Sequence, residues 1–171
     1  RSVLASQERS WQEDVTSLLI ETHNLAESVL QWLLKQFSVD VRRLPDRSQD
    51  NKWTKEIAVQ TLQALPIAKL DDELVRRLAS QNLREIRNAL IRGNSSLKAL
   101  MFAALLSTIE HSDHPFLKLS ADELQLARLL DMADARNKKA GHSGGERIDR
   151  EEAMEHADFV IEWVQIFKGW Y

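Results

Sequence analysis

An arginine, an asparagine and a histidine lie within seven residues of one another late in the chain, as Arg136, Asn137 and His142. An arginine presents a permanently charged planar group that matches phosphate oxygens, and a histidine can give or take a proton near neutral pH. An asparagine can hold a phosphate oxygen or a ribose 2′-hydroxyl, or can orient the histidine ring. We therefore predict that these three residues are catalytic and that the bond they break is a phosphodiester.

The same three side chains suit RNA without the help of a metal ion. The 2′-hydroxyl oxygen of a ribose would attack the adjacent phosphorus, and Arg136 would stabilise the negative charge that develops there. The chain has no cysteine, which removes thiolate metal sites and cysteine nucleophiles. His111 and His114 lack a third close ligand, so we interpret them as loop residues before Pro115. We expect neither a metal nor a cofactor.

Basic residues are concentrated around this segment although the whole chain is acidic. The formal net charge of the chain is −3, and its pI is near 6.0. Between Arg136 and Arg150, by contrast, five Lys or Arg residues accompany two acids, which gives a local charge of +3. Such a patch would attract a polyanion. We predict that four of these cations bind RNA phosphates: Lys138, Lys139, Arg147 and Arg150.

Helix geometry sets a condition on this candidate site. On an ideal α-helix, Arg136 and His142 would lie roughly 9 Å apart along the axis and about 240° apart around it, so they would not face one site. Either the helix ends at Gly141, which lets His142 turn back, or two copies of the chain meet about a two-fold axis and both sets line one cleft. We expect a homodimer, in which the two histidines can take separate acid and base roles.

The segment resembles the HEPN superfamily, whose hallmark is an arginine, four to six further residues and a histidine, with a polar residue often directly after the arginine. Arg136, Asn137 and His142 fit that spacing, and the resemblance covers roughly residues 129–167. It implies an all-α helical bundle, dimerisation through the motif helices, and often a metal-independent ribonuclease of defence, toxin or RNA-processing systems. One subgroup places a tyrosine two residues after the histidine, where this chain has Gly144.

The apolar periodicity predicts the same fold class from the residues themselves. Only 5 Gly and 3 Pro occur, and residues that favour helices dominate. Apolar side chains at three- and four-residue steps indicate a bundle of about six helices and no strand. His23, within the first helix, is interpreted as a structural or surface residue, and the fourth helix is apolar enough to be buried on most sides. The predicted helices are Ser6–Phe37, Lys55–Leu65, Asp72–Ile91, Ser96–His111, Ser120–Lys139 and Asp149–Lys168.

The length of the chain is that of one domain, and we expect residues 1–171 to form a single unit. The first residue is an arginine rather than a methionine, so we expect the unit to come from a larger protein with regulatory domains. No apolar run reaches the ~18 residues of a membrane span. Because cysteine is absent, we expect a reducing, cytoplasmic compartment.

Two other functions stay open at this point. A non-catalytic HEPN module would dimerise, or bind nucleotides, RNA or a partner protein, through the same basic cleft. A helical interaction domain would carry the motif by chance, with its cations favoured because they lie near a helix C-terminus. Chance matches do occur, since Arg150 and His156 also fit the bare spacing. Arg87 and Asn88 repeat the dipeptide, but Gly93 stands where the histidine would be.

Overall fold

The structure, a computed structural model, describes residues 2–67, 70–139 and 149–170. Within these ranges every regular element is a helix and no strand occurs, which confirms the predicted all-α class. None of the described helices is both long and apolar enough to span a membrane. Short 3-10 helices occur at Val41–Arg43, Arg47–Lys52 and Phe167–Trp170. The described ranges contain nine α-helices: α1 (Ser2–Gln36), α2 (Lys55–Gln63), α3 (Asp72–Leu78), α4 (Leu83–Arg92), α5 (Leu97–Ser107), α6 (Pro115–Lys118), α7 (Ala121–Leu124), α8 (Leu126–Lys139) and α9 (Arg150–Ile166).

Most of these helices begin at a polar residue that caps the first turn. The side chain of such an N-cap accepts a hydrogen bond from a free backbone N–H, which stabilises a helix by roughly 1 kcal/mol. Ser120 and Glu123 form both bonds of a capping box at the start of α7, where the sequence predicts that a helix begins. Gly93 ends α4 in the left-handed conformation, with a φ of 61°. The other side-chain N-caps of α-helices are Thr54, Asp71, Asn82, Ser96, His114 and Asp149.

Two of the predicted helices are each broken into two, so the prediction of unbroken helices is wrong there. Asp72–Ile91 forms α3 and α4, because the side chain of Asn82 accepts a backbone N–H at 2.9 Å and starts a new helix. Ser120–Lys139 forms α7 and α8, which meet at Gln125 in the left-handed region with a φ of 39°. The short α6, which the sequence does not predict, begins at Pro115, whose fixed φ suits a first turn.

α5 lies at the centre of the bundle. All of its residues except Lys98 are buried, and it packs against α1, α3, α4 and α8. A helix that is apolar on every side is stable only where other helices cover it. The predicted burial of this helix is therefore confirmed, although it ends at Ser107 rather than at His111.

α1 runs along the bundle and brings residues from the start of the chain to α8. Its 35 residues make it about 52 Å long, and it packs against α5, α8 and α9. Leu19, His23, Ala26 and Leu30 are buried at steps of three and four residues, so they mark the face of α1 that meets the bundle. This face carries His23 to the helix that holds Arg136.

Candidate functional site

Arg136 lies in the last turn of α8 and lines a polar pocket. Its guanidinium Nη1 donates a hydrogen bond to the side-chain oxygen of Asn137 at 3.1 Å. Arg136 is partly buried and Asn137 is exposed, and both line a pocket of about 350 Å³. The pocket is bounded by α1, α4, α5 and α8. Its other lining residues are His23, Glu27, Gln81, Glu85, Ser96, Leu97, Lys98 and Ala133.

α1 contributes a histidine and a carboxylate to this pocket. Nε2 of His23 lies 3.5 Å from Oε1 of Glu27, one turn further along the helix. The side chain of His23 is only 7% exposed, whereas that of Glu27 is 26% exposed. Burial, helped by the positive charge of Arg136, lowers the pKa of His23 from 6.5 to about 4. His23 is therefore a neutral imidazole at neutral pH, and its Nδ1 has no hydrogen-bond partner among the described residues.

The charges around the pocket balance one another. Burial raises the pKa of Glu27, and the positive charge of Arg136 opposes that rise. Lys98 and Arg136 supply two cations, while Glu27 and Glu85 supply two carboxylates. The pocket is therefore a mixture of donors and acceptors, to which the segment with a local charge of +3 contributes Arg136 and Asn137 among the described residues.

A network of ion pairs holds the turn of α8 that precedes Arg136. Asp134 accepts a hydrogen bond from Arg77 at 3.1 Å and pairs with Nζ of Lys98 at 2.7 Å. Arg77 also pairs with Asp131 at 2.8 Å. Burial alone would raise the pKa of Asp134, but the hydrogen bonds and charges of Lys98 and Arg77 lower it below its usual value. These contacts tie α3, α5 and α8 together two residues before Arg136.

Arg150, a predicted phosphate-binding residue, does not share this pocket. Its guanidinium lies 5.3 Å from the centroid of the Trp11 ring. Arg150 and Trp11 line a second pocket, of about 480 Å³, together with Met154 and residues of the first half of α1. The structure thus brings Arg136 and Asn137 together and separates them from Arg150.

The side chains of the remaining predicted site residues lie outside the part of the chain that the structure describes. Lys138 and Lys139 belong to α8, but the description does not include their side chains. His142 and Arg147 lie outside the described residues. The catalytic role of His142 and the RNA-binding roles of the other three residues stay predictions.

His111 and His114 have structural partners. Nδ1 of His114 accepts a hydrogen bond from the backbone N–H of Phe116 at 3.1 Å, and its ring centroid lies 4.7 Å from that of Phe37. Nε2 of His111 lies 2.7 Å from the carbonyl oxygen of Ser38. Within the described part of the chain, no group of three or more His, Asp or Glu residues could hold a metal ion. Both histidines therefore help to fix the connection between α5 and α6.

Sequence reasoning missed His23 and Glu27 as site residues. His23 stands four residues after Leu19 and three before Ala26, both buried, so it occupies the apolar face of α1. A titratable residue on such a face is the signal that could have found it. The proximity of His23 to Arg136 cannot be predicted from the sequence, because the two residues lie far apart along the chain.

Comparison with known proteins identifies no relative of this chain. No family of known proteins, no curated protein and no solved structure matches this chain. The HEPN resemblance therefore stays a prediction that rests on Arg136, Asn137, His142 and the helices around them.

Proposed function

We propose that this chain is a metal-independent endoribonuclease of the HEPN type, which cuts single-stranded or loop RNA. The observation that carries the proposal is the environment of Arg136. Its guanidinium is partly buried at a polar pocket and, among the described residues, it forms no ion pair. A guanidinium in such surroundings can bind two phosphate oxygens at once. Because Asp134 fixes the preceding turn of α8, the backbone that carries Arg136 is held in place before the phosphate arrives.

In the proposed reaction, the 2′-hydroxyl oxygen attacks the adjacent phosphorus while Arg136 stabilises the added negative charge on the phosphate. His142 transfers a proton, and Asn137 orients the guanidinium through the hydrogen bond that it accepts. The P–O5′ bond breaks, which leaves a 2′,3′-cyclic phosphate on one product and a 5′-hydroxyl on the other. A DNA strand has no 2′-hydroxyl and is not cut.

The size of the pocket favours an unpaired nucleotide over a duplex. A volume of about 350 Å³ lies at the lower end of the range for small-molecule sites. In a single strand or a loop, a base can leave its stack and the 2′-hydroxyl can align with the phosphate. Lys138, Lys139, Arg147 and Arg150 would add attraction for the rest of the strand.

We also propose that two copies pair through α8 and α9, so that both copies of His142 approach one cleft. Met154 and Ile161 support this pairing, since they lie two turns apart on α9 and are 47% and 51% exposed. Large apolar side chains on one exposed helix face are typical of a surface that another chain covers. The family resemblance further suggests a defence, toxin or RNA-processing system, and the proposed compartment is the cytoplasm.

A digestion of labelled RNA and DNA tests the proposal directly. Wild-type protein should cut the RNA and leave the DNA intact, and His142→Ala should abolish cutting without unfolding the domain. Ser143→Ala is the matched control, because it changes the neighbouring residue and should cut RNA like the wild type. Retained cutting by the His142→Ala variant, or intact RNA after incubation with the wild type, would count against a ribonuclease.

A non-catalytic module that binds nucleotides or RNA is the second candidate. The balanced charge of the pocket favours it, since Glu27 and Glu85 can accept hydrogen bonds from a base while Arg136 holds a phosphate. Calorimetric titration with short RNA separates the two candidates. Binding that Arg136→Ala weakens, with no product after long incubation, supports the module rather than the enzyme.

A further inference from the structure

Glu27 and His23 belong to no motif, yet both line the Arg136 pocket. The side chain of Glu27 is 26% exposed and can meet a bound ligand, whereas that of His23 is 7% exposed and nearly enclosed. Oε1 of Glu27 lies 3.5 Å from Nε2 of His23. A carboxylate with a buried imidazole beside it, in the pocket of Arg136, can take part in one of the two proton transfers of the proposed reaction.

Cleavage by a 2′-hydroxyl needs two proton transfers. One group takes the proton of the 2′-hydroxyl, and another gives a proton to the departing 5′-oxygen. Arg136 can do neither, since a guanidinium keeps its proton in proteins. One imidazole cannot begin the step both neutral and protonated, so a second acid–base group takes part, which is either the His142 of the second copy or a group of the pocket itself.

We propose that Glu27 is the general base of this site and that His23 is a positioning residue that holds the Glu27 carboxylate; this rests on the proposed ribonuclease function. The 2′-hydroxyl proton moves to Glu27 as the 2′-oxygen forms its bond to phosphorus. The P–O5′ bond breaks with its electron pair, and the 5′-oxygen takes a proton from the acid of the proposed function. Glu27 afterwards returns its proton to solvent.

Of the two carboxylates in the pocket, Glu27 is the one with a buried imidazole beside it. Glu85 lies beside the start of α5 instead, where its Oε2 and the Oε1 of Gln81 are both within reach of the hydroxyl of Ser96, at 3.4 Å and 3.2 Å. Burial raises the pKa of Glu27, which makes it a stronger base, while the charge of Arg136 helps to keep it ionised. The charged and titratable side chains that line the pocket beside Glu27 are His23 on α1, Glu85 on α4, Lys98 on α5 and Arg136 on α8.

His23 suits a positioning task better than a proton-transfer task. Its ring is nearly enclosed, and its Nδ1 is buried without a partner among the described residues, so a substrate does not reach that nitrogen. Nε2 is the nitrogen beside the carboxylate. A neutral ring that carries its one N–H on Nε2 places that group 3.5 Å from Oε1, near enough to limit the rotamers of the carboxylate.

Glu27→Gln tests the base, because it removes the proton acceptor and keeps the shape of the side chain. We expect kcat on RNA to fall about 100-fold or more with little change in KM, and the acidic limb of the pH profile to disappear. Glu21→Gln is the matched control, since Glu21 is exposed on the same helix and does not line the pocket. Glu27→Asp should keep the acidic limb at a lower rate. His23→Gln should lower kcat about tenfold and shift the limb without removing it.

A substrate with a better leaving group distinguishes the loss of the general base from the loss of the general acid. When sulfur replaces the 5′-oxygen at the linkage that the wild type cuts fastest, the thiolate departs without a proton. We expect Glu27→Gln to cut this RNA as poorly as ordinary RNA. A Glu27→Gln variant that cuts ordinary RNA at the wild-type rate, or that regains its rate on the sulfur substrate, overturns the proposal while the ribonuclease function stands. Wild-type protein that cuts no RNA overturns both.

Discussion

The dipeptide Arg-Asn occurs twice in this chain, and its two copies have different surroundings. Arg87, on α4, has a side chain that is only 9% exposed. Its Nη2 donates to the carbonyl oxygen of Pro45 at 2.7 Å and pairs with Asp50 at 3.0 Å. Arg136, on α8, is partly buried, donates to its neighbour Asn137 and lines the polar pocket. The Nη2 group of Arg87 is therefore used within the fold, although its Nε is buried without a partner among the described residues, while Arg136 has donors left for a ligand at the pocket.

The comparison teaches that surroundings, rather than the dipeptide, decide what such an arginine can do. Arg87 ties α4 to the polar segment that follows α1, because both of its oxygen partners belong to that segment. Arg136 is flanked instead by the titratable side chains His23 and Glu27. The first copy should thus matter for stability and the second for cleavage, which gives a set of matched experiments.

Arg136→Ala should produce the largest effect on cleavage. Loss of a donor to a developing charge typically lowers a rate about 100- to 1000-fold, and we expect a fall of that size in RNA cleavage. The free energy of unfolding should change by less than about 0.5 kcal/mol. Initial rates and urea unfolding measure the two quantities. Arg92→Ala is the control, because Arg92 is exposed at the end of α4, and it should cut at the wild-type rate. An Arg136→Ala variant that is unstable but fully active would reverse the comparison.

Arg87→Ala should have the opposite outcome. It leaves the Pro45 carbonyl and the Asp50 carboxylate without their donor, so we expect the free energy of unfolding to fall by about 2–3 kcal/mol. The cleavage rate per folded molecule should not change. Urea unfolding of Arg87→Ala beside Arg84→Ala, an exposed arginine of the same helix, measures the difference. Wild-type stability of Arg87→Ala would show that the buried contacts contribute little.

The sequence predicts the fold better than it predicts the site. Helix starts at Ser120 and Asp149 are encoded locally, by one side chain and the turn that follows it. The break at Gln125 is not encoded locally. Its φ is 39°, and glutamine is not a residue type that indicates the left-handed region. The contact of His23 with the Arg136 pocket depends on how α1 packs on α8, and periodicity gives the buried face of a helix without naming its partner.

Acid should lower the free energy of unfolding, and the part of this response that depends on Arg136 should be smaller than the effects above. His23 and His114 have their pKa values lowered to about 4, mainly by burial, whereas the unfolded chain takes up their protons near 6.5. The unfolded state therefore binds more protons between pH 6.5 and pH 4, so stability is retained above that window and falls as the pH drops through it. For His23 the full loss is on the order of 3 kcal/mol.

Removal of Arg136 should weaken this acid response, because the charge of Arg136 helps to lower the pKa of His23. Urea unfolding between pH 4 and pH 7 should show a shallower dependence in Arg136→Ala than in Arg87→Ala, which should match the wild type. His114 contributes the same slope to all three proteins, so it cancels. Identical slopes in both variants would mean that Arg136 does not act on His23.

The two asparagines should give the smallest contrast. Asn137→Ala removes one hydrogen bond to Arg136, a loss of about 1 kcal/mol, so we expect cleavage to fall roughly fivefold. Asn88→Ala should leave the rate unchanged, since Asn88 does not line the pocket. Single-turnover rates on the same RNA resolve a difference of this size. An equal loss in both variants would point to an effect on folding rather than on the site.

The 2′-hydroxyl is the group on which the proposed function depends most. A DNA oligonucleotide that carries one ribonucleotide, incubated with wild-type protein in EDTA, isolates that group, and mass spectrometry identifies the new ends. We expect a single cut on the 3′ side of the ribonucleotide, with a 2′,3′-cyclic phosphate and a 5′-hydroxyl. Cuts at deoxyribose linkages, a 3′-hydroxyl with a 5′-phosphate, or loss of cutting in EDTA would contradict the account.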